Sequence, residues 1–161
     1  MRLLASTDFA LRILMLLGRR ASAEPISVVS VANGLGGLSR NHLHKIVQDL
    51  AALGILRTVR GAGGGVMLAK PLEDVRLGAL VQALEEDQPL VECFRQDGGV
   101  CTLDCGCRLR RFLGEAHSCF YRALNERTLA DCVPPERPKS SRPSPRKPAA
   151  KSKSGRRPVA V

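Results

Sequence analysis

The chain has 161 residues, 44% of them hydrophobic and 25% charged, with six cysteines and a formal net charge of +10. This length suits one globular domain whose core needs no disulfides. No signal peptide or membrane span is predicted, because Asp8 and Arg12 interrupt the apolar run after Met1 and the uninterrupted segment 13–17 is too short to cross a bilayer. We therefore expect a cytoplasmic protein, in a reducing compartment where clustered thiols are more often metal ligands or redox sensors than disulfides.

The first two predicted helices lie within residues 6–37. FALRILMLLGRR is apolar on nearly every side, which predicts a buried helix, with Asp8 in its first turn and Ser6 or Thr7 as its N-cap. The segment VVSVAN predicts a short second helix that begins after Ser27 and ends at the glycine-rich segment GLGGL.

A third helix is predicted after the N-cap Ser39. Its apolar stripe recurs at helical spacing and consists of Leu43, Ile46, Val47, Leu50 and Leu53. The opposite face carries side chains of the kinds that bind base edges and phosphates, although a polar helix face is more often simply solvated. These side chains are Asn41, His44, Lys45 and Gln48, with Arg40 at the N-terminal edge.

Two strands are predicted after Gly54, in ILRTVR and VMLA. The turn 61–65 joins them, and Arg57 and Arg60 precede it. This turn is not predicted to bind a nucleotide, because it precedes a strand and lacks the Lys-Ser/Thr pair of a phosphate loop. A short helix, a glycine turn, a polar-faced helix and a basic hairpin together predict a winged helix-turn-helix that binds double-stranded DNA.

Two more helices are predicted after Pro71, in VRLGALVQALEE and in CRLRRFLGEAHSCFYRALNER. The second has an apolar stripe at positions 109, 112, 113, 116, 120, 123 and 124. Little of the chain remains to cover this stripe, so we predict a homodimer, which suits a pseudo-palindromic DNA site. Cys119 and Cys132 are predicted to be small buried core residues. For His42 and His117 we predict ordinary surface or core-edge positions without a role.

Four cysteines lie within fifteen residues, at Cys93, Cys101, Cys105 and Cys107. Structural zinc sites pair their ligands as Cys-x2–4-Cys, and only Cys101 and Cys105 meet that rule. A zinc-stapled interaction module therefore stays an alternative hypothesis. An iron–sulfur cluster tolerates wider spacing, since its thiolates bind different irons.

The last segment, 134–161, carries nine basic residues against Glu136 alone and seven of the ten prolines. So few apolar residues cannot offset the entropy of ordering, which predicts a disordered tail. The tail either adds sequence-independent attraction to phosphates or is a solvated extension without consequence. Of the rest, residues 1–70 have a net charge of +6 and residues 71–133 of −4. This asymmetry predicts a DNA-binding region at 1–70 and a separate role for 71–133.

These segments resemble the iron–sulfur winged-helix regulators, the family that includes NsrR, IscR and RirA. The resemblance covers residues 1 to about 133 and is carried, in family order, by STDFALRILMLL, LSRNHLHKIVQDLAALGIL, VRGAGGGVMLAKP, RLGALVQALE, LVECF, CRLR and TLADCV. It implies a mainly α fold: a winged helix-turn-helix domain with a small two-stranded β wing and a long C-terminal dimerisation helix. It also implies a transcriptional repressor and not an enzyme.

The resemblance further implies that Cys93, Cys101 and Cys107 are the thiolate ligands of an iron–sulfur cluster, of the 4Fe–4S or the 2Fe–2S type. Cys105 falls where the family usually has another residue, and it is either a spare thiol or a replacement for Cys107. IscR-like members have a histidine three residues after the third cysteine, where this chain has Arg110. NsrR-type members use an aspartate on the first helix of the other subunit, which implies Asp8 of the partner subunit as the fourth ligand.

The likeness is greatest to the NsrR type, which implies a repressor that senses nitric oxide and loses DNA affinity when its cluster is nitrosylated. The alternative within the same fold is a sensor of iron or of cluster supply, as in IscR-like and RirA-like members. Periodicity and resemblance together predict these DNA-binding residues: Ser39, Arg40, Asn41, His44, Lys45, Gln48, Arg57, Arg60, Gly63 and Gly64.

Overall fold

The structure, a computed structural model, describes residues 2–20, 24–36, 38–103 and 106–133. Cys105 and the predicted tail lie outside the described residues. The helices are α1 (Ala5–Gly18), α2 (Val28–Gly34), α3 (Arg40–Ala52), α4 (Leu77–Leu84) and α5 (Arg108–Asn125). The strands are β1 (Leu56–Val59) and β2 (Gly65–Leu68), and short 3-10 turns lie at Leu72–Asp74, Glu92–Phe94 and Ala130–Cys132.

Helix α1 begins earlier than predicted and has no local side-chain cap. Its N-cap residue is Leu4, so the prediction that Ser6 or Thr7 caps the helix is wrong. Instead, the backbone N–H of Leu4 donates to Oε1 of Glu85 at 2.9 Å. Glu85 is only 8% exposed and lies at the end of α4. Packing thus brings a carboxylate from 81 residues away to an N–H that local sequence leaves without a partner.

The start predicted for α2 after Ser27 and the cap predicted for α3 at Ser39 are both confirmed. The Ser27 side chain accepts a hydrogen bond from the N–H of Ser30 at 3.2 Å, and the Ser39 side chain accepts one from His42 at 3.4 Å. Each serine thereby satisfies one of the N–H groups that the first helical turn leaves without a backbone partner.

The apolar stripe of α3 faces the core, as predicted. Four of its members are no more than 3% exposed, namely Leu43, Ile46, Val47 and Leu50. Leu53 lies just beyond the end of the helix and is 38% exposed. Gly54 follows with φ +66°, a left-handed conformation that lets the chain leave α3 and enter β1.

The two strands form an antiparallel hairpin in which Leu56 pairs with Leu68 and Val59 with Gly65. Ile26, just before α2, extends this sheet through two backbone hydrogen bonds with Val66, of 2.9 and 2.8 Å. A side chain at Gly65 would place its Cβ 2.1 Å from the carbonyl oxygen of Ile26. The glycine therefore permits the approach that ties the hairpin to the helix-turn-helix.

Residues of the second half of the chain complete the core of the first. Leu72, Val75, Leu80 and Leu129 belong to the same buried cluster as the residues of α1 and α3. Helix α4 in turn packs closely on α5, where a Cβ on Gly78 would lie 2.1 Å from the carbonyl oxygen of Tyr121. The outward face of α5 stays uncovered, since Leu109 is 63% and Phe112 51% exposed.

The prediction that Cys119 and Cys132 are buried is wrong. Cys119 is exposed and Cys132 is only partly buried. Cys119 precedes the buried Tyr121 by two residues, a rotation of about 200° around the helix, so it lies on the face opposite α4. Among the described helices, none combines the length and the apolar character needed to cross a bilayer.

Candidate DNA-binding surface and cysteine loop

Helix α3 turns a polar face to solvent. The five side chains predicted on this face are all exposed: Arg40, Asn41, His44, Lys45 and Gln48. The buried stripe on the other side of the helix fixes this orientation, because rotating α3 would expose the stripe and bury charged groups. Arg40 and Asn41 lie in the first turn, where free backbone N–H groups also attract phosphates.

Two of the predicted DNA contacts of α3 already have a partner. The Nζ of Lys45 lies 3.7 Å from Oδ2 of Asp49, and both side chains are well exposed. Exposed pairs of this kind contribute only ~0.2–1 kcal/mol, so a phosphate can displace Asp49. The hydroxyl of Ser39 is the cap of α3, and it can still donate its proton to DNA while its oxygen accepts from His42.

The turn between β1 and β2 is exposed and built from glycine. Gly61 and Gly63 have positive φ values of +100° and +80°, and the N–H of Gly64 donates to the carbonyl of Gly61 at 2.9 Å. A Cβ on Gly64 would lie 2.4 Å from the carbonyl oxygen of Val59. The turn is therefore narrow, with the exposed side chains of Arg57 and Arg60 beside it. This shape and charge suit a wing that lies along a phosphate backbone.

Helix α1 contacts α3 through aromatic rings close to Asp8. The ring of Phe9 meets the ring of His42 edge-on at 5.9 Å, and the Arg12 guanidinium lies 5.9 Å from the Phe9 centroid. His42 and His117 are both partly buried. His117 also contacts an aromatic ring, that of Tyr121 at 4.7 Å. The predicted core-edge position of both histidines therefore agrees with the structure. His42 in addition forms part of the contact between α1 and α3.

Asp8 lies in the first turn of α1 and forms an ion pair with Arg12. Arg12 Nη2 is 2.8 Å from Asp8 Oδ2, and Arg12 Nε donates to Oδ1 at 3.0 Å. The Asp8 side chain is nevertheless 50% exposed, so a second molecule can reach it. Within the described chain, Asp8 and the cysteines do not come together as a group of three or more metal-binding side chains.

The cysteine loop, residues 86–107, connects α4 to α5. Cys93 lies in the 3-10 turn Glu92–Phe94, and Cys107 is the N-cap residue of α5. Cys93, Cys101 and Cys107 are free thiols, each of them partly buried. Cys105 lies outside the described residues, so the structure does not test whether Cys105 or Cys107 is the third thiolate ligand.

The donor set of this loop suits an iron–sulfur cluster. Thiolates are the usual protein ligands of such clusters, and each binds a different iron of an extended object. The described residues contain no set of three histidine, cysteine, aspartate or glutamate side chains that converges on a single ion. The fit therefore rests on the chemistry of three free thiols in one loop.

An ion-pair network that sequence analysis missed folds the loop between Cys93 and Cys101. The guanidinium of Arg95 donates to both carboxylate oxygens of Asp97, at 3.0 and 2.7 Å. Its Nε also lies 3.5 Å from Oε1 of Glu92. The hydrogen bonds from Arg95 and from the N–H of Gly99 lower the pKa of Asp97 below its ordinary value. We call Glu92, Arg95 and Asp97 the loop clasp. An arginine between two acids and before a glycine pair, as in ECFRQDGG, is the signal that would have indicated it.

Comparison with known proteins identifies the family. Residues 3–135 match the Rrf2 family, described as "Iron-dependent Transcriptional regulator". The HTH-type transcriptional regulator NsrR of Geobacillus kaustophilus is 42% identical over 133 residues, which cover 83% of this chain and 90% of the relative. The protein of the same name from Bacillus subtilis is 35% identical over the same shares.

Solved structures show the same fold. IscR of T. potens superimposes with a TM-score of 0.63 at 23% identity, covering 82% of this chain and 85% of the other. CymR of B. subtilis, the global cysteine regulator, gives 0.64 at 23% identity, covering 83% and 96%. Together with the five α-helices and the two-stranded sheet of the described residues, these structures confirm the mainly α winged-helix prediction. The named relatives are transcriptional regulators, as expected of a protein that is not an enzyme. The chain belongs to the Rrf2 family of transcriptional regulators and is of the NsrR type.

Proposed function

We propose that this regulator is a homodimeric repressor that senses nitric oxide through an iron–sulfur cluster and releases its operator when the cluster is nitrosylated. One observation carries the proposal: a single chain combines a solvent-facing polar helix, α3, with a loop that presents three free thiols. The similarity to NsrR regulators over 133 residues supports the combination.

The DNA-binding part of the proposal places α3 in the major groove. The amides of Asn41 and Gln48 suit adenine, and Arg40 suits guanine or phosphate. Arg57 and Arg60 of the wing would bind the backbone, which positions the protein without selecting a sequence. Two copies of this surface would bind the half-sites of a pseudo-palindromic operator.

The uncovered face of α5 supports a homodimer. Leu109 and Phe112 lie three residues apart, hence on one side of the helix, and more than half of each is exposed to solvent. A soluble chain rarely leaves such an apolar face open unless a partner covers it. A second copy of α5 is the simplest cover, because the two faces of a symmetric dimer are identical.

In the proposed site Cys93, Cys101 and Cys107 hold the cluster, and Asp8 of the partner subunit is the fourth ligand. The bound cluster would supply an iron that a carboxylate binds weakly and that nitric oxide can attack. Arg12 would weaken the bond between Asp8 and the iron, because it binds both carboxylate oxygens of Asp8 from one helical turn away. Asp8 would therefore keep Arg12 as an alternative partner if its bond to the iron were lost.

The position of Asp8 suggests how cluster loss would reach the DNA. Its neighbour Phe9 contacts His42 in the first turn of α3. A shift of α1 would therefore move the N-terminal end of α3, which carries Arg40 and Asn41. In a dimer this shift would change the spacing of the two recognition helices, so that they no longer match the operator.

A binding titration under strict exclusion of oxygen tests the proposal. The loaded protein is bound to an operator selected from random DNA, and nitric oxide is added while fluorescence anisotropy reports release. We expect release after a few equivalents of nitric oxide per cluster. Retention of the operator through complete nitrosylation, as followed by visible absorption, would contradict nitric-oxide sensing.

The family description favours one second candidate, a sensor of iron or cluster supply. Arg110 opposes the IscR-like form of this candidate, because a guanidinium cannot replace a histidine as a ligand. Release of the operator only on iron withdrawal would support it. Metal analysis judges the zinc hypothesis in the same preparation: iron with comparable acid-labile sulfide contradicts it, and one zinc per chain without visible absorption supports it.

A further inference from the structure

The loop clasp brings together the two ends of the segment between the proposed ligands Cys93 and Cys101. Asp97 Oδ1 accepts a hydrogen bond from the N–H of Gly99 at 3.0 Å. Gly99 has φ +60°, and a Cβ built on it would lie 2.5 Å from the carbonyl oxygen of Glu92. The residue before Cys93 therefore touches the residue two positions before Cys101. The seven residues that separate the two thiols are folded back on themselves.

The segment that carries the clasp is also attached to α5, the helix that begins after Cys107, through Phe94. Phe94 follows Cys93 directly, and its ring lies 6.3 Å from the ring of His117. The Cζ of Phe94 is 3.7 Å from the position of a Cβ on Gly114, so the ring packs on the backbone of α5 at ordinary contact distance. The folded segment and the third proposed thiol thus share one helix as their support.

Among the described residues of the loop, few side chains outside this network hold it in its folded conformation. Val100 is 86% and Leu103 73% exposed, so neither side chain ties the loop to the core. Gly98 and Gly99 both have positive φ values and would be freer than other residues in an open chain. Gathering distant thiols around a cofactor costs conformational entropy, and this cost falls when the chain is already folded.

We propose that Arg95 is a positioning residue: by joining Glu92 to Asp97 it holds the thiols of Cys93 and Cys101 near each other before any cofactor binds. The inference rests on the proposed function for its purpose, because the gathered thiols would serve the cluster. The folding of the loop, however, is a property of the metal-free chain. It can therefore be measured separately.

The first test uses the reduced, metal-free full chain with the substitution Arg95→Gln. A short bifunctional thiol reagent is added, and mass spectrometry quantifies the peptide that links Cys93 to Cys101. We expect the link to form about two- to fivefold more slowly than in the unchanged chain, as for loss of an exposed charge network. Arg111→Gln is the matched control, because it removes the exposed pair between Arg111 and Glu115 without touching the clasp.

The second test follows the loaded protein. Arg95→Gln and Asp97→Asn should each lose visible absorption to an iron chelator about two- to fivefold faster. The double variant should be no faster than either single one, because both changes break the same network. Arg95→Lys keeps the charge but not the bidentate contact, so its rate of absorption loss should lie between those of the unchanged chain and Arg95→Gln.

Far-UV circular dichroism of every variant should be unchanged, since the clasp is exposed and lies outside the α-helices. Equal cross-linking rates in Arg95→Gln and the unchanged chain would overturn the inference. A protein that takes up no iron and sulfide would contradict the proposed function instead. The cross-linking rates of the metal-free chain would then still decide whether Arg95 positions the thiols.

Discussion

Asp8 shows how the surroundings of a single carboxylate decide its possible roles. Alone it is a first-turn acid that the helix dipole favours, and its pair with Arg12 is half exposed. Asp8→Ala should therefore lower the free energy of unfolding by no more than about 1 kcal/mol. Alanine has no oxygen with which to bind iron. If Asp8 is a ligand, Asp8→Ala should therefore change both the visible spectrum of the loaded protein and its response to nitric oxide.

Urea unfolding and absorption spectroscopy check this prediction on the same sample. Ser6→Ala is a suitable control, because Ser6 lies in the same turn and does not cap the helix. A spectrum unchanged by Asp8→Ala would remove Asp8 from the ligand set.

Cys105 and Cys107 can be separated by one substitution each. Cys107 is the N-cap residue of α5 and is held at the start of a helix, which favours it as the fixed ligand. We expect Cys105→Ala to load iron and sulfide like the unchanged chain, and Cys107→Ala to lose most of both. Iron and sulfide counts after anaerobic reconstitution measure this. The opposite result would exchange the two residues in the ligand set.

Helix α3 can be tested as an element because one face of it is buried and the other free. Gln48→Ala removes an exposed side chain from the polar face and should leave stability almost unchanged. If Gln48 binds a base, operator affinity should fall about 5- to 150-fold, since a good contact of this type contributes ~1–3 kcal/mol.

Anisotropy titrations on operator and on unrelated DNA measure this effect. Gln82→Ala makes the same change at an exposed position of α4 and should leave operator affinity intact. If both variants bind the operator like the unchanged chain, Gln48 does not contact a base.

Assembly of the whole molecule depends on α5. Phe112→Glu places a charge on its uncovered apolar face, where the side chain is 51% exposed, so the fold of the single chain should tolerate it. In a dimer the same charge would be buried without a partner, and we expect a monomer in sedimentation experiments. Val29→Glu makes an equally exposed change on α2, at 49%, and should stay dimeric. Dimers in both variants would argue against α5 as the interface.

The basic tail, 134–161, is predicted from its charge alone to strengthen binding to any DNA. Each phosphate contact releases counterions, and the salt dependence of binding steepens by ~0.9 per contact on a log–log plot. Replacing the basic residues of 134–161 with glutamine should flatten the slope for any DNA by at least about 2, while preference for the operator stays the same. Replacing the tail serines instead should change neither. An unchanged slope in the glutamine variant would make the tail a solvated extension.

Local features of this protein were predictable because their causes lie within a few residues of each other. The stripe of α3, the serine caps of α2 and α3 and the glycine turn of the wing all follow from spacing and from residue type. The same short-range signals identified Arg40, His44 and Gln48 as exposed. The thiol-rich segment was equally visible, since four cysteines in fifteen residues need no fold to be noticed.

Features that depend on packing between distant segments were not predictable in this way. The cap that Glu85 provides for α1 joins residues 81 positions apart, and Gly78 is needed only because α5 crosses it. The exposure of Cys119 follows from which face of α5 meets α4. The physical reason is that periodicity shows a helix has an apolar face, whereas the neighbours that cover this face are chosen only when all elements pack together.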